Sequence, residues 1–329
     1  VRSAIGKVLR AIVARLGYRL AHPEELAAPR RALAAVGEVA RSRAAQTSTE
    51  NPGGESIRAI AFSRDRPLQL QALIASYLES IDEPPLLRVL YSTTSPAMRA
   101  AYASLAEEFA GNDRVQLHEE SDFRTDLLRE LEVAGEDRVF FLVDDIVFTR
   151  PVRVADLLRY PTESHVFSLR LSPAITYSYT TGRSETPPQL TEADGGRLRE
   201  WDWAGSEIDW GYAFSVDGHV FSASEVLALA KTIAFRAPNS FEAQMQVYAP
   251  YFAARRGVCY AEAALVNIPC NRVQSEVENV HGQAQELRPE RLLEIFESGV
   301  RVDVAMLTGV TTNSCHAELE LPLREVRTS

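Results

Sequence analysis

The stretch RVFFLVDDIVFTRP, Arg138–Pro151, decides how this chain is read. Its run of Val, Phe and Leu has the length and composition of a buried strand, and the run stops abruptly at two carboxylates, Asp144 and Asp145. Adjacent like charges at the mouth of a strand repel, and a divalent cation beside them relieves that repulsion. Mg2+ or Mn2+ suits the place, because such ions take one or two carboxylates together with waters and a substrate phosphate. The competing reading is that one aspartate caps the next turn or pairs with Arg150 or Arg153.

Upstream of this stretch the pattern alternates. Strands are expected at Ile57–Ser63, Leu86–Ser92, Arg114–Glu120 and Arg138–Asp145, with helices at Pro67–Ser80, Ser95–Gly111 and Asp122–Gly135 between them. Strands separated by helices of this length imply βαβ units and a mainly parallel sheet, with ligands at the carboxyl ends of the strands. The acidic pair sits at such an end. Downstream, Val166–Ser172 and Trp210–Ser222 read as strands, the latter turning at Asp217-Gly218. Ser224–Ala234 and Pro238–Ala253 read as helices, and Ala263–Pro269 as a return to the sheet.

The 329 residues carry a net charge of −10, which argues against a nucleic-acid-binding surface. No apolar run is long enough for a membrane span. Cys259, Cys270 and Cys315 form no CxxC pair, so neither a disulfide framework nor a structural zinc site is expected, and a reducing cytoplasm fits best. Residues 1–50 stand apart as a helical extension and linker. Ile5, Val8, Leu9, Ile12, Val13 and Leu16 form one stripe of a basic amphipathic helix, which suits the inner membrane surface, a second subunit or the main domain; no signal peptide is read there. A second helix is expected over about Glu24–Arg43.

Several families end a hydrophobic strand in an acidic pair, and each lacks a required part here. A P-loop ATPase needs GxxxxGK[ST], which is absent. A dehydrogenase needs a glycine-rich turn after its first strand, where this chain has FSRDRPLQL, and a receiver-type phosphoacceptor carries its acidic pair at the first strand.

The loop FSRDRP, Phe62–Pro67, together with the acidic strand end, resembles the nucleotide-sugar-dependent glycosyltransferases of the GT-A fold, particularly bacterial members. The resemblance covers about Ser56–Gly282, and the acidic motif is a DD variant of the family's DxD. It implies an α/β catalytic domain over 51–329, with a nucleotide-binding half at 56–150, an acceptor half at 151–282 and a tail at 283–329. It implies a nucleotide-sugar donor, a saccharide or other hydroxyl acceptor, and Mn2+ or Mg2+ held by Asp145, with His281 completing the metal shell. Phe62, Ser63, Arg64, Arg66, Asn271 and Arg272 are then expected at the nucleotide, and Asp144 at its ribose. Arginine suits that place because its planar fork matches phosphate. The arginine-flanked loop leans slightly to GDP-mannose over a UDP sugar.

Glu242, near a helix start, matches the acid that deprotonates the acceptor in inverting enzymes, and Asp209 is a second catalytic candidate. In a retaining enzyme Glu242 would only position the sugar, and the competing role for Glu242 is that of a helix cap. Trp201, Trp203 and Trp210, interleaved with acids, are expected to form an acceptor-binding wall, because aromatic faces stack on sugar rings; core packing is the competing role. The polar loop Tyr177–Gly196 is expected to order on donor binding. His316 and Glu318 receive no assignment. A nucleotidyltransferase and a non-catalytic nucleotide- or carbohydrate-binding protein are the alternatives.

Overall fold

Along β1, Ile57–Arg64, the side chains alternate between two apolar clusters: Ile57, Ala59 and Ala61 enter one, Ile60 and Phe62 the other. β4, Arg138–Val143, repeats the pattern with Phe140 and Leu142 on one side and Val139 and Phe141 on the other. Strands buried on both faces belong at the centre of a sheet covered by helices on both sides. The computed structural model, which describes residues 31, 33–38, 56–135, 138–271 and 288–325, places them there.

Around this pair run β2 (Leu87–Ser92), β3 (Val115–Glu119), β6 (His165–Ser168), β9 (Thr191–Ala193), β10 (Leu198–Asp202), β11 (His219–Ser222) and β12 (Arg256–Tyr260), in a nine-stranded sheet ordered β3-β2-β1-β4-β11-β6-β12-β10-β9. Pairing is parallel from β3 through β4. Beyond β4 it is mixed, beginning with the antiparallel β11. The α/β architecture agrees with the GT-A resemblance.

The first half matches its expected boundaries to within two residues because local chemistry punctuates it. Helix α1 (Pro67–Ser80) opens on proline, whose missing N–H costs nothing in a first turn. In α2 (Pro96–Phe109) the Ser95 side chain caps Met98 N at 3.2 Å, and in α3 (Phe123–Ala134) Asp122 caps Thr125 N at 2.9 Å.

Three expectations fail in the second half. Trp210–Val216 is not strand: a short helix, Ile208–Gly211, and a turn precede β11, and side chains rather than a ladder hold that segment. The helix from Pro238 ends at Gln246 and is followed by a separate 3-10 turn, Ala249–Phe252, with Pro250 in it, where an α-helix would need the N–H that proline lacks. β13 (Leu265–Asn267) does not rejoin the main sheet; it pairs antiparallel with β5 (Ile146–Phe148), directly after the acidic pair. The tail is an integral part of the fold. The helix Pro289–Glu297 and the segment through Leu321 supply Leu292, Phe296, Val304 and Leu321 to the same cluster as Ala59.

Residues 31 and 33–38 are helical, as expected, and Val36 is buried in the cluster that holds Phe62. The amphipathic stripe from Ile5 to Leu16 lies outside the described residues. Among the described residues no helix is long and apolar enough to cross a membrane.

Trp201 lies flat on Gly257 of β12, where an added Cβ would stand 2.2 Å from the indole. Gly257→Ala therefore overpacks the core and should cost about 1–3 kcal/mol. Urea denaturation checks this, and an unchanged midpoint would contradict the packing.

Candidate functional site

The turn after β1 is built to deliver one guanidinium. Asp65 adopts a left-handed φ of 51°, uncommon for a residue with a side chain. Its carboxylate holds that conformation by accepting from Thr94 N at 2.9 Å and Thr94 Oγ1 at 2.8 Å, which ties the first βα loop to the second. Arg66 is thereby aimed at the ends of β1 and β4. Its Nη1 donates to Asp144 Oδ1 at 2.8 Å and to Asp145 Oδ2 at 3.3 Å, its Nε to Asn271 Oδ1 at 2.9 Å and its Nη2 to the Asn271 carbonyl. The other oxygen of Asp144 accepts from Ser63 Oγ at 2.9 Å and Arg64 N at 3.0 Å. Asp144 is 4% exposed and clamps the β1 loop onto β4.

Asp145 has different company. Its Oδ1 accepts from Asn267 Nδ2 at 3.1 Å, and Asn267 also donates to Asp217. The two carboxylates orient the carboxamide, and among the described residues its oxygen is buried without a partner. His316 lies beside them, its Nε2 3.8 Å from Asp217 Oδ2, on a tail segment bridged to Asn267 through Asn267 N to the Cys315 carbonyl and Ala317 N to the Asn267 carbonyl. Burial, with the nearby Arg170 charge, holds the His316 imidazole neutral by lowering its pKa to about 4. Burial raises the pKa of Asp145, against the pull of Arg66.

Deeper in the second half of the chain one guanidinium gathers several acids. Arg170, 3% exposed, donates to Asp209 Oδ1 at 2.5 Å, Asp217 Oδ2 at 3.0 Å and Ser215 Oγ at 2.8 Å. Glu242 accepts from Val216 N at 2.9 Å; burial, then the Asp217 charge, pushes its pKa up to about 7. Glu185 accepts from Asp209 N at 3.1 Å, and burial, then Asp209, pushes its pKa likewise to about 7. One arginine cannot neutralise this many carboxylates, so some of them stay protonated near neutral pH.

A carboxamide oxygen, a carboxylate and a neutral imidazole, as Asn267, Asp145 and His316 offer, are each of a kind that can ligate a divalent cation. Among the described residues no group of three or more His, Cys, Asp and Glu side chains is arranged to hold a metal. The set fits an ion that arrives with a phosphate ligand and its own waters, not a closed all-protein cage.

The sequence candidates separate accordingly. Ser63, Arg66, Asp144, Asp145 and Asn271 come together at the ends of β1 and β4, while Asp209 and Glu242 share the Arg170 network. Arg64, its side chain 48% exposed, faces solvent. Phe62 is a correction: its ring is buried between Phe123 and Phe141, so it touches no nucleotide through its side chain. The tryptophan wall is another. Trp201, Trp203 and Trp210 are 3%, 5% and 1% exposed; Trp210 donates to the Ile175 carbonyl and Trp201 to that of Trp210, so they are core. Arg272 and His281 lie outside the described residues. His316, Asn267, Asp217, Arg170 and Glu185 carried no functional assignment. Only Arg170 left a trace in the sequence, as a charge inside the apolar run VFSLRLS, where a buried arginine demands acidic partners.

No protein-family model matches the chain, and no curated protein matches it. Among solved structures it is similar to TarS of S. aureus, at 16% identity over 64% of this chain and 36% of TarS, with a TM-score of 0.41. A structure of TarS residues 1–349 in complex with UDP-GlcNAc aligns at 14% identity over 77% of this chain and 69% of that one, TM-score 0.41. The bifunctional glycosyltransferase WbbM aligns at 13% over 63% of this chain and 39% of WbbM, TM-score 0.33. A nucleotidyl transferase from Methanothermobacter thermautotrophicus aligns at 13% over 64% of this chain and 89% of that chain, TM-score 0.39. This chain thus spans well under half of TarS and of WbbM. Likeness at these identities concerns the fold alone.

Because the folded pKa of Glu242, about 7, exceeds its ordinary 4.5, its neutral carboxyl contributes stability that is whole below 4.5 and lost as pH rises through 7. Glu242→Gln, which keeps an acceptor for Val216 N, should remove that loss. Urea midpoints at about pH 5 and pH 8 should converge in the variant and diverge in the wild type; equal pH dependence in both would refute the shift.

Proposed function

We propose that the protein is a glycosyltransferase that moves a sugar from a nucleoside-diphosphate donor to a hydroxyl acceptor. The observation that carries this reading is the meeting, at the carboxyl ends of β1 and β4, of Asp145, the neutral His316 and the unpartnered Asn267 oxygen, with the Glu242 carboxyl in the adjoining network. One part of the site suits a diphosphate with its counter-charges, and the other suits a hydroxyl that must lose a proton.

Asp145, Asn267 and His316 would hold Mn2+ or Mg2+, which when bound supplies positive charge to the leaving diphosphate. Arg64 and Arg66 add guanidinium charge from the first loop. Glu242 takes the acceptor proton as the acceptor oxygen bonds to the anomeric carbon and the bond from that carbon to the diphosphate oxygen breaks. A base with a pKa near neutrality is matched to that task. Transfer in one displacement inverts the anomeric centre. Tyr212, half-buried beside Glu242, keeps its hydroxyl protonated, chiefly through desolvation, and helps fix the carboxyl.

GDP-mannose is the first donor to test and UDP-GlcNAc the second. A thermal-shift series with nucleotide sugars, with and without Mn2+, identifies the base; a ligand at about a hundred times its dissociation constant adds roughly 2.7 kcal/mol. Asp145→Ala should abolish the Mn2+-dependent part of the shift, and a variant that shifts like the wild type would remove Asp145 from the cation site. Glu242→Gln should lower kcat by about 10²–10⁴ with donor KM little changed. Nucleotide binding with no release of nucleoside diphosphate in the presence of acceptors would favour a binding protein.

A further inference from the structure

The donor-free arrangement of Arg66 deepens the proposed donor site, on which this inference rests. We infer that Arg66 is an internal counter-ion that occupies Asp145 until a diphosphate draws it away, so that the cation and the nucleotide each strengthen the other's binding.

The geometry carries the point. The same Nη1 bridges Asp144 at 2.8 Å and Asp145 at 3.3 Å, and these two contacts are unequal in kind. Asp144 is fastened on its other oxygen by Ser63 and Arg64 N, so it stays where it is whether or not Arg66 moves. Among the described residues Asp145 has Asn267 alone besides Arg66 at its carboxylate, and its contact with Arg66 is the longer. Loss of the arginine would leave Asp145 with an unbalanced charge in a buried place, so the guanidinium stabilises the empty site. For the same reason it opposes a divalent ion, because two positive charges would share one carboxylate at short range and low effective dielectric.

A diphosphate changes the balance. Its oxygens offer the planar fork a better acceptor than one shared Nη1, and its negative charge offsets both cations. The Nε and Nη2 contacts to Asn271 supply a pivot, so releasing Asp145 requires only a rotation of the fork about a tethered side chain. Once Arg66 has turned, Asp145, the Asn267 oxygen and His316 are free to act on one ion. The protein then avoids holding a cation that would compete with the donor's own.

Mn2+ titrations followed by calorimetry and by electron paramagnetic resonance of free Mn2+ test this without turnover. Wild-type protein should bind Mn2+ weakly alone and, with saturating GDP or UDP, roughly tenfold or more tightly. Arg66→Met should bind Mn2+ without any nucleotide, again by roughly tenfold or more over the wild type, because the competing charge is gone. Arg66→Lys, which keeps the charge, should stay near wild type. If circular dichroism shows Arg66→Met unfolded, Arg66→Gln, which keeps polar reach and loses the charge, takes its place. Equal Mn2+ affinity in the neutral variant and the wild type overturns the inference, as does equal wild-type affinity with and without a nucleotide that is itself shown to bind. If nucleotide binds while Mn2+ binds no form of the protein, the counter-ion role falls and the donor reading stands. Tighter Mn2+ binding by the neutral variant, with no nucleotide bound by any form, upholds the counter-ion role at Asp145 and removes the donor reading.

Discussion

The Asp144 carboxylate is the constraint on which this architecture turns. It sits at the end of a central parallel strand and gathers the hydroxyl of Ser63, the backbone of Arg64 and the guanidinium of Arg66 from the neighbouring strand's loop. Those bonds convert two strand ends into one rigid rim. With the rim fixed, Asp145 has one direction left to face, and β5 and β13 follow immediately to lay Asn267 against it. A buried carboxylate with every oxygen satisfied is a specifying element more than a stabilising one, because its desolvation cost cancels much of what its partners contribute.

A second polar organiser lies behind the first. Arg170 is nearly inaccessible, yet Asp209, Ser215 and Asp217 converge on it from one short stretch that follows it in the chain. Burial, and after it the charges of the acids gathered there, sets Glu185 and Glu242 near neutrality. Polar networks of this kind remain tolerable inside a core only while each member finds a partner. Those left short, such as the Asn267 oxygen, mark the places where something outside the chain is expected to complete the set.

The first half of the fold was legible because its determinants are local: proline in a first turn, serine and aspartate caps, and a two-residue alternation along β1 and β4. The acidic pair was legible because two carboxylates after an apolar strand have few structural excuses. The second half was not. The segment from Trp210 to Val216 has the composition of a strand, but its aromatic rings are buried by partners distant in sequence, and no period in the sequence encodes that. The same holds for the tryptophans. Aromatic residues interleaved with acids suit a sugar-binding wall and a core corner equally, and only three-dimensional burial separates the two. His316 was illegible for a different reason: nothing around it announces a site, and its place depends on a pairing with Asn267, which no local pattern in the sequence encodes.

That pairing has a bearing on biosynthesis. Residues 313–318 thread between the Thr176–Tyr179 segment and Asn267, held by Asn313, Ser314 and Cys315, long after the acidic pair has left the ribosome. Every strand of the main sheet therefore precedes His316 in the chain, and the imidazole takes its place beside Asp217 only when the 313–318 segment docks on Asn267.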